Sequence, residues 1–162
     1  MDLKSRILIA DDDEAFLSAL SAMLCQRGFE CDCVIDAAQA RERLQADSYD
    51  ALISDLDMPG NRDLKFLREV AQAAYSLPTI LITAYPSVTS AMQSVQLPVV
   101  AYLIKPVAPE ELVRHLQTAV DRSRAGRAVA AQREKTERWF SELKAIEAQL
   151  RQRPQLDAWD PT

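Results

Sequence analysis

The sequence predicts an α/β fold, a doubly wound sheet of five parallel strands with a C-terminal helical extension. Five short apolar runs alternate with five segments of helical periodicity. Such alternation implies right-handed crossovers and a parallel sheet covered on both faces. The polar residues that end these runs form the second observation: Asp11 and Asp12 after the first, Asp55 after the third, Thr83 after the fourth and Lys105 after the fifth. In sheets of this kind a ligand site lies at the carboxyl ends of the strands. The length of 162 residues suits one domain plus an appendage better than two full domains.

The elements follow in order. Arg6–Ala10 is a short β-branched run that ends in acidic residues, the pattern of a buried strand. Ala15–Gln26 carries Phe16, Leu20, Met23 and Leu24 at helical spacing, and Gly28 closes that helix just past its end. Phe29–Ile35 alternates apolar and polar residues as a half-exposed strand does. Residues 36–46 form a second helix with Asp36 as its N-cap. Ala51–Ser54 is the third strand, Met58-Pro59-Gly60-Asn61 the turn after it, and a third helix covers about 62–74. Thr79–Ile82 makes the fourth strand, 87–95 a short fourth helix and Val99–Ile104 the fifth strand. Pro109 opens the fifth helix, where its missing N–H costs nothing.

Composition sets outer bounds. With 48% hydrophobic and 27% charged residues the chain can build an ordinary globular core. No apolar run approaches the roughly 20 residues of a membrane span, and Met1-Asp2-Leu3-Lys4-Ser5-Arg6 leads straight into a strand without a signal-peptide core. The expected location is cytoplasmic. Residues 1–120 hold ten Lys and Arg against seventeen Asp and Glu, residues 121–162 nine against seven. The main domain is therefore acidic, suited to cations and a poor match for a nucleic-acid backbone; no direct nucleic-acid contact is expected. Cys31 and Cys33 alternate along the second strand with no histidine or further cysteine pair to complete a metal site. They are read as small buried residues in a reducing compartment.

The strand-end residues carry the chemistry. Clustered carboxylates repel one another unless a cation sits among them, and hard oxygen ligands suit Mg²⁺. A metal beside a carboxylate nucleophile, with an ammonium and a hydroxyl to hold incoming oxygens, is equipment for phosphoryl transfer. One Asp would suffice to cap the first helix, so Asp11, Asp12 and Asp13 exceed what capping needs.

Four segments together, Ile7-Leu8-Ile9-Ala10-Asp11-Asp12-Asp13, Ser54-Asp55-Leu56-Asp57-Met58-Pro59-Gly60, Ile82-Thr83-Ala84 and Tyr102-Leu103-Ile104-Lys105-Pro106, resemble the receiver domains of two-component response regulators. The resemblance covers about residues 4–121. It implies a flavodoxin-like strand order 2-1-3-4-5 and a signalling domain rather than an enzyme, which assists its own phosphorylation and dephosphorylation. By the same resemblance Asp55 is the phosphoacceptor, and Asp11 and Asp12 bind Mg²⁺, one directly and one through water. Asp55 also joins the metal, and Asp57 lends it a backbone carbonyl. Lys105 pairs with the phosphoryl group, Thr83 switches toward it, Tyr102 is the rotating aromatic, and the Lys105–Pro106 bond is cis. The implied partner is a sensor histidine kinase or a histidine phosphotransfer protein. His115, the only histidine, is read as a surface residue with no phosphodonor role.

Two departures stand out. Asn61-Arg62-Asp63 replaces the Met-Asp-Gly that often follows the Pro-Gly turn, which bears on how the third helix starts. Pro98-Val99 replaces a frequent Gly-Ala pair and stiffens the loop before the fifth strand. Two other functions share some of these residues. Asp55-Leu56-Asp57 reproduces the nucleophile pair of haloacid-dehalogenase-like phosphatases, which place it after the first strand, and a pseudo-receiver would keep the fold without taking phosphate.

The extension reads as continued helix over 127–153. Val129, Thr136, Leu143 and Leu150 are seven apart, with Gln132, Trp139 and Ile146 between them, an a/d heptad with polar breaks. The expected organisation is a receiver over 1–121, a helical extension over 122–153 and a loose tail over 154–162, with a homodimer through residues 129–150. A helix folded back after a break near Gly126 is the alternative.

Overall fold

Three strands whose residues are apolar almost throughout have to be buried on both faces, and that requirement organises the molecule. The structure, a computed structural model, describes residues 3–72 and 77–152. The strands are β1 (Arg6–Ala10), β2 (Glu30–Val34), β3 (Ala51–Asp55), β4 (Thr79–Thr83) and β5 (Val99–Ile104), and the helices α1 (Glu14–Gln26), α2 (Ala37–Ala46), α3 (Lys65–Gln72), α4 (Val88–Ser94) and α5 (Pro109–Gln152). All strands run parallel in the order β2-β1-β3-β4-β5, the flavodoxin-like arrangement that was expected.

Because strand side chains alternate between faces, alternate residues of each strand divide the core in two. Ile7, Ile9, Ile53, Ile80 and Ile82 pack with Leu17, Leu20 and Leu24 of α1 and with Leu112 and Leu116 of α5. Leu8, Leu52 and Leu81 pack on the opposite face with Ala37 and Ala40 of α2 and with Phe66, Leu67 and Val70 of α3. The chain divides into two compact units after Arg124. In the second, the described residues form the later part of α5, all exposed except the half-buried Ala130, and Gly126 lies within the helix. The tail expected over 154–162, and residue 153 of the expected extension, lie outside the described residues.

Three expectations need correction. The third helix does not begin at 62: Arg62–Leu64 is a 3-10 turn, and α3 starts at Lys65. The cause is local, since Asp63 and Leu64 adopt φ of 51° and 59°, left-handed values that interrupt an α-helix. Its expected end at 73–74 lies outside the described residues. The cysteines are not core residues: Cys31 is half-buried and Cys25 and Cys33 are exposed. β2 is an edge strand at the margin of the sheet, and burial still pushes the Cys31 thiol up to about 12. His115 is half-buried and not fully at the surface.

The turn after β3 is fixed by Gly60. Its φ is +86°, and a Cβ there would come 2.8 Å from the Ala37 Cβ, while Ala37 N–H donates to the Pro59 carbonyl at 3.0 Å. Strain and collision act together, so Gly60→Ala should lower stability by about 1–3 kcal/mol in urea denaturation. Asp63→Gly, which suits the left-handed backbone, should leave stability unchanged or raise it.

Candidate functional site: an acidic rim at the carboxyl edge of the sheet

The register of the central strands brings the polar strand ends together. Ala10 lies opposite Ser54, Asp55 opposite Ile82, and Thr83 opposite Ile104, so Asp55 and Thr83 sit at the last paired position, Asp11 and Lys105 one step beyond it, and Asp12 and Asp57 two. Asp13 ends the β1–α1 loop as the helix N-cap, its Oδ1 accepting from Phe16 N–H at 3.1 Å. One carboxylate of three thus serves the helix, and Asp11 and Asp12 remain for the rim. Carboxylate oxygens of Asp11, Asp12 and Asp55 lie within 4.8 Å of one another, with Asp11 and Asp55 buried and Asp12 exposed.

Each buried group has a defined set of partners. The Asp11 Oδ1 accepts from Asp13 N–H at 2.9 Å, and its Oδ2 accepts from Lys105 Nζ at 2.7 Å. Lys105 Nζ stands 3.6 Å from Asp55 Oδ2 and 4.2 Å above the centre of the Phe16 ring, which supports the cation from below. Asp55 Oδ1 accepts from Asp57 N–H at 3.0 Å, and the Asp55 carbonyl accepts from the Asn61 side-chain amide at 3.1 Å. Thr83, fully buried, donates its hydroxyl to Asp57 Oδ2 at 3.0 Å and accepts from Tyr85 N–H at 3.0 Å. Tyr102, half-buried on β5, has its hydroxyl 2.8 Å from Ser90 Oγ, and Ser87 N–H donates to it at 3.4 Å. The Lys105–Pro106 bond is cis.

The site thus gathers Asp11, Asp12, Asp55, Asp57, Thr83 and Lys105, with Tyr102 reaching the start of α4. Sequence reasoning passed over two contributors. The sequence marks Phe16 only as a core position of α1 and Asn61 only as a turn residue and a departure; nothing in spacing alone points to a ring beneath a lysine or an amide holding the β3 end. Asn61 Oδ1 is buried without a hydrogen-bond partner, a polar atom left open in the loop beside the acidic cluster.

Burial is the main reason the Asp55 carboxyl sits above the usual carboxylate range; the Asp57 amide opposes it, the Asp11 charge adds to it and Lys105 opposes it. Burial also works against the Lys105 charge, but its hydrogen bond to Asp11 and the charges of Asp55 and Asp11 outweigh it and raise the ammonium's pKa. The three clustered carboxylates of Asp11, Asp12 and Asp55 form a donor set of hard oxygen that suits Mg²⁺. A cation held there would share Asp11 with Lys105.

A raised folded-state pKa has a definite sign in stability. The contribution of Asp55 is fully present below the unfolded carboxylate value and is lost as pH rises through the elevated folded value. At neutral pH and without divalent metal, ionised Asp55 therefore costs stability. Asp55→Asn should be more resistant to urea than the unmodified protein at pH 7, and the difference should close as pH falls toward about 4. Equal midpoints at both pH values would show that Lys105 already balances the buried charge.

The family model for the response regulator receiver domain matches residues 7–117. The chain is 32% identical to the transcriptional regulatory protein BasR of Escherichia coli over 117 residues, 72% of this chain and 53% of that protein. It is 31% identical over 119 residues to the response regulator MprA of Mycobacterium ulcerans, 74% of this chain and 51% of that one. The chain spans about half the length of these relatives. Among solved structures, the signal receiver domain of an HD domain-containing protein from Pseudomonas fluorescens superposes with a TM-score of 0.73 at 25% identity, over 79% of this chain and 95% of that one. A CheY-like receiver domain protein from Methanospirillum hungatei gives 0.71 at 24% identity, over 76% and 98%. Fold, strand-end chemistry and likeness agree, and the chain belongs to the response regulator receiver domain family.

Proposed function

We propose that this chain is a phosphorylation switch in which Asp55 accepts a phosphoryl group from a phosphohistidine of a sensor histidine kinase or histidine phosphotransfer protein. The observation that carries this is the meeting of Asp11, Asp12 and Asp55 around Lys105 at the carboxyl edge of the sheet. In the transfer an Asp55 carboxylate oxygen attacks phosphorus, the P–N bond breaks with its electron pair returning to the imidazole, and that ring takes up a proton from solvent. Burial keeps the nucleophile poorly hydrated, and the Asp57 N–H fixes its orientation through Oδ1. Asp11, Asp12, Asp55 and the Asp57 carbonyl would hold Mg²⁺, which supplies charge neutralisation for the carboxylates and the incoming phosphoryl oxygens.

The remaining residues read the product. Lys105 leaves Asp11 for the phosphoryl group, a charge-assisted contact. Thr83 exchanges the Asp57 carboxylate for a phosphoryl oxygen. Tyr102, bonded to Ser87 and Ser90, passes the change to the start of α4. We assign residues 1–121 to this switch and 122–153 to a helical extension through which two copies associate over residues 129–150. The domain works in the cytoplasm. Its acidic balance argues against direct contact with nucleic acid.

Incubation with a small phosphodonor and Mg²⁺ followed by intact-mass measurement tests the reading. A stable gain of roughly 80 Da, one phosphoryl group, is expected; continuous release of free phosphate would instead indicate a phosphatase, and an unchanged mass a pseudo-receiver. Asp55→Asn should abolish the gain, Asp12→Asn should slow it and weaken Mg²⁺ binding, and Lys105→Ala should leave metal binding largely intact while uncoupling labelling from any change in assembly.

The phosphoryl group should be long-lived. By the likeness to the receiver family, Tyr85 and Asp57, each two residues past Thr83 and Asp55, flank the approach of a hydrolytic water. The bulk of Tyr85 obstructs that water. Tyr85→Ala should therefore speed loss of the label, and a rate equal to or below that of the unmodified chain would remove this role for the ring.

A further inference from the structure

The later part of α5 presents an apolar stripe to solvent. Val129, Trp139, Phe140, Leu143, Ile146 and Leu150 are each 42% exposed or more, and the run from Trp139 to Leu150 makes a continuous apolar face of the kind that marks an interface. Its positions decide what covers it. With Val129, Thr136, Leu143 and Leu150 at a, and Gln132, Trp139 and Ile146 at d, the flanking e positions are Arg133, Phe140 and Glu147 and the g positions Lys135, Glu142 and Gln149. The stripe is thus widened on one side only, by Phe140, whose ring meets that of Trp139 edge-on at 5.5 Å.

We infer that this stripe pairs with the same stripe of a second copy in antiparallel orientation, the two helices crossing between Trp139 and Leu143. The inference rests on the self-association proposed above and adds its geometry. In a parallel pair each g residue faces the e residue of the following heptad on the other helix. Glu142 then meets a second Glu147 on both sides of the two-fold axis, and Phe140 faces Lys135. In the antiparallel pair e faces e. Arg133 then meets Glu147 of the partner subunit twice, Phe140 meets its own counterpart, and Trp139 packs against Leu143 of the partner subunit. Two attractive contacts replace two repulsive ones, and the wide side of the stripe is closed by an aromatic pair. Gln132 and Thr136 fall opposite Leu150 and Ile146 of the partner subunit, toward the ends of the seam where water reaches them. Glu142 facing Glu142 is the one like-charge contact that remains. The surface is self-complementary, as a two-fold interface has to be.

Sedimentation or light scattering on the full chain at low salt tests both levels. The unmodified protein should be a dimer at tens of micromolar, and the double variant Leu143→Asp/Ile146→Asp a monomer. Arg133→Glu and Glu147→Arg should each weaken the dimer by roughly threefold to thirtyfold, and the double swap Arg133→Glu/Glu147→Arg should recover most of the loss. A monomeric unmodified protein would overturn self-association itself. A dimer that tightens with Glu147→Arg and ignores Arg133→Glu would keep self-association and overturn the antiparallel orientation, because that is the response of a Glu142–Glu147 clash. Circular dichroism of each variant separates loss of helix from loss of pairing, since Arg133 and Glu147 also form ion pairs with Glu137 and Arg151 within the helix.

Discussion

Lys105 Nζ lies 2.7 Å from Asp11 and 3.6 Å from Asp55, and this shared cation allows two carboxylates to be buried side by side at the end of a sheet. An isolated ionised carboxylate in such a place would be strongly disfavoured. The ammonium's own burial is tolerated because two acids surround it and because the Phe16 ring lies beneath it. Everything else at the rim is arranged around that balance. The β1–α1 loop turns so that Asp13 caps the helix while Asp11 faces inward, and the β5–α5 loop delivers the lysine from the far side of the sheet. Metal and phosphoryl chemistry, in the proposed reaction, act by exchanging the partners of charges already in place.

The parallel sheet is what makes this possible. Three inner strands of nearly continuous aliphatic residues leave little room for polar side chains along their length, so charge concentrates at their carboxyl ends. A shift of the β3 register by one residue would turn Asp55 toward the wrong face and expose its hydrophobic neighbours, so the burial that stabilises the fold also aligns the site.

Much of this was legible in the sequence because the signals are local and strong. The runs Ile7–Ala10, Leu52–Ser54 and Thr79–Ile82 can hardly be anything but buried strands, and once their order is fixed Asp11, Asp55, Thr83 and Lys105 must share an edge. Gly28 and Asp36 marked helix boundaries by backbone chemistry that any context would respect. The start of α3 was not legible, because left-handed backbone at Asp63 and Leu64 is imposed by the loop's attachment to α2 and to Asp55 and not by the preference of those residues. The cysteines failed for a related reason: alternation along β2 shows that one face is more buried, while the depth of that burial depends on β2 being an edge. The partners of Asp57 and Asn61 were hidden as well, since they depend on side-chain directions within one loop.

Asp57 joins two parts of the site through different atoms: its amide clamps the Asp55 carboxylate, and its carboxylate occupies the Thr83 hydroxyl. A resting hydroxyl that already has an acceptor gains only the difference between two hydrogen bonds when it turns elsewhere. In the proposed switch, excursions of the unmodified domain toward the active arrangement would be penalised by the bond they break. Such a parked hydroxyl would lower the background of the proposed switch, and a neighbour unable to accept that hydrogen would let it leak.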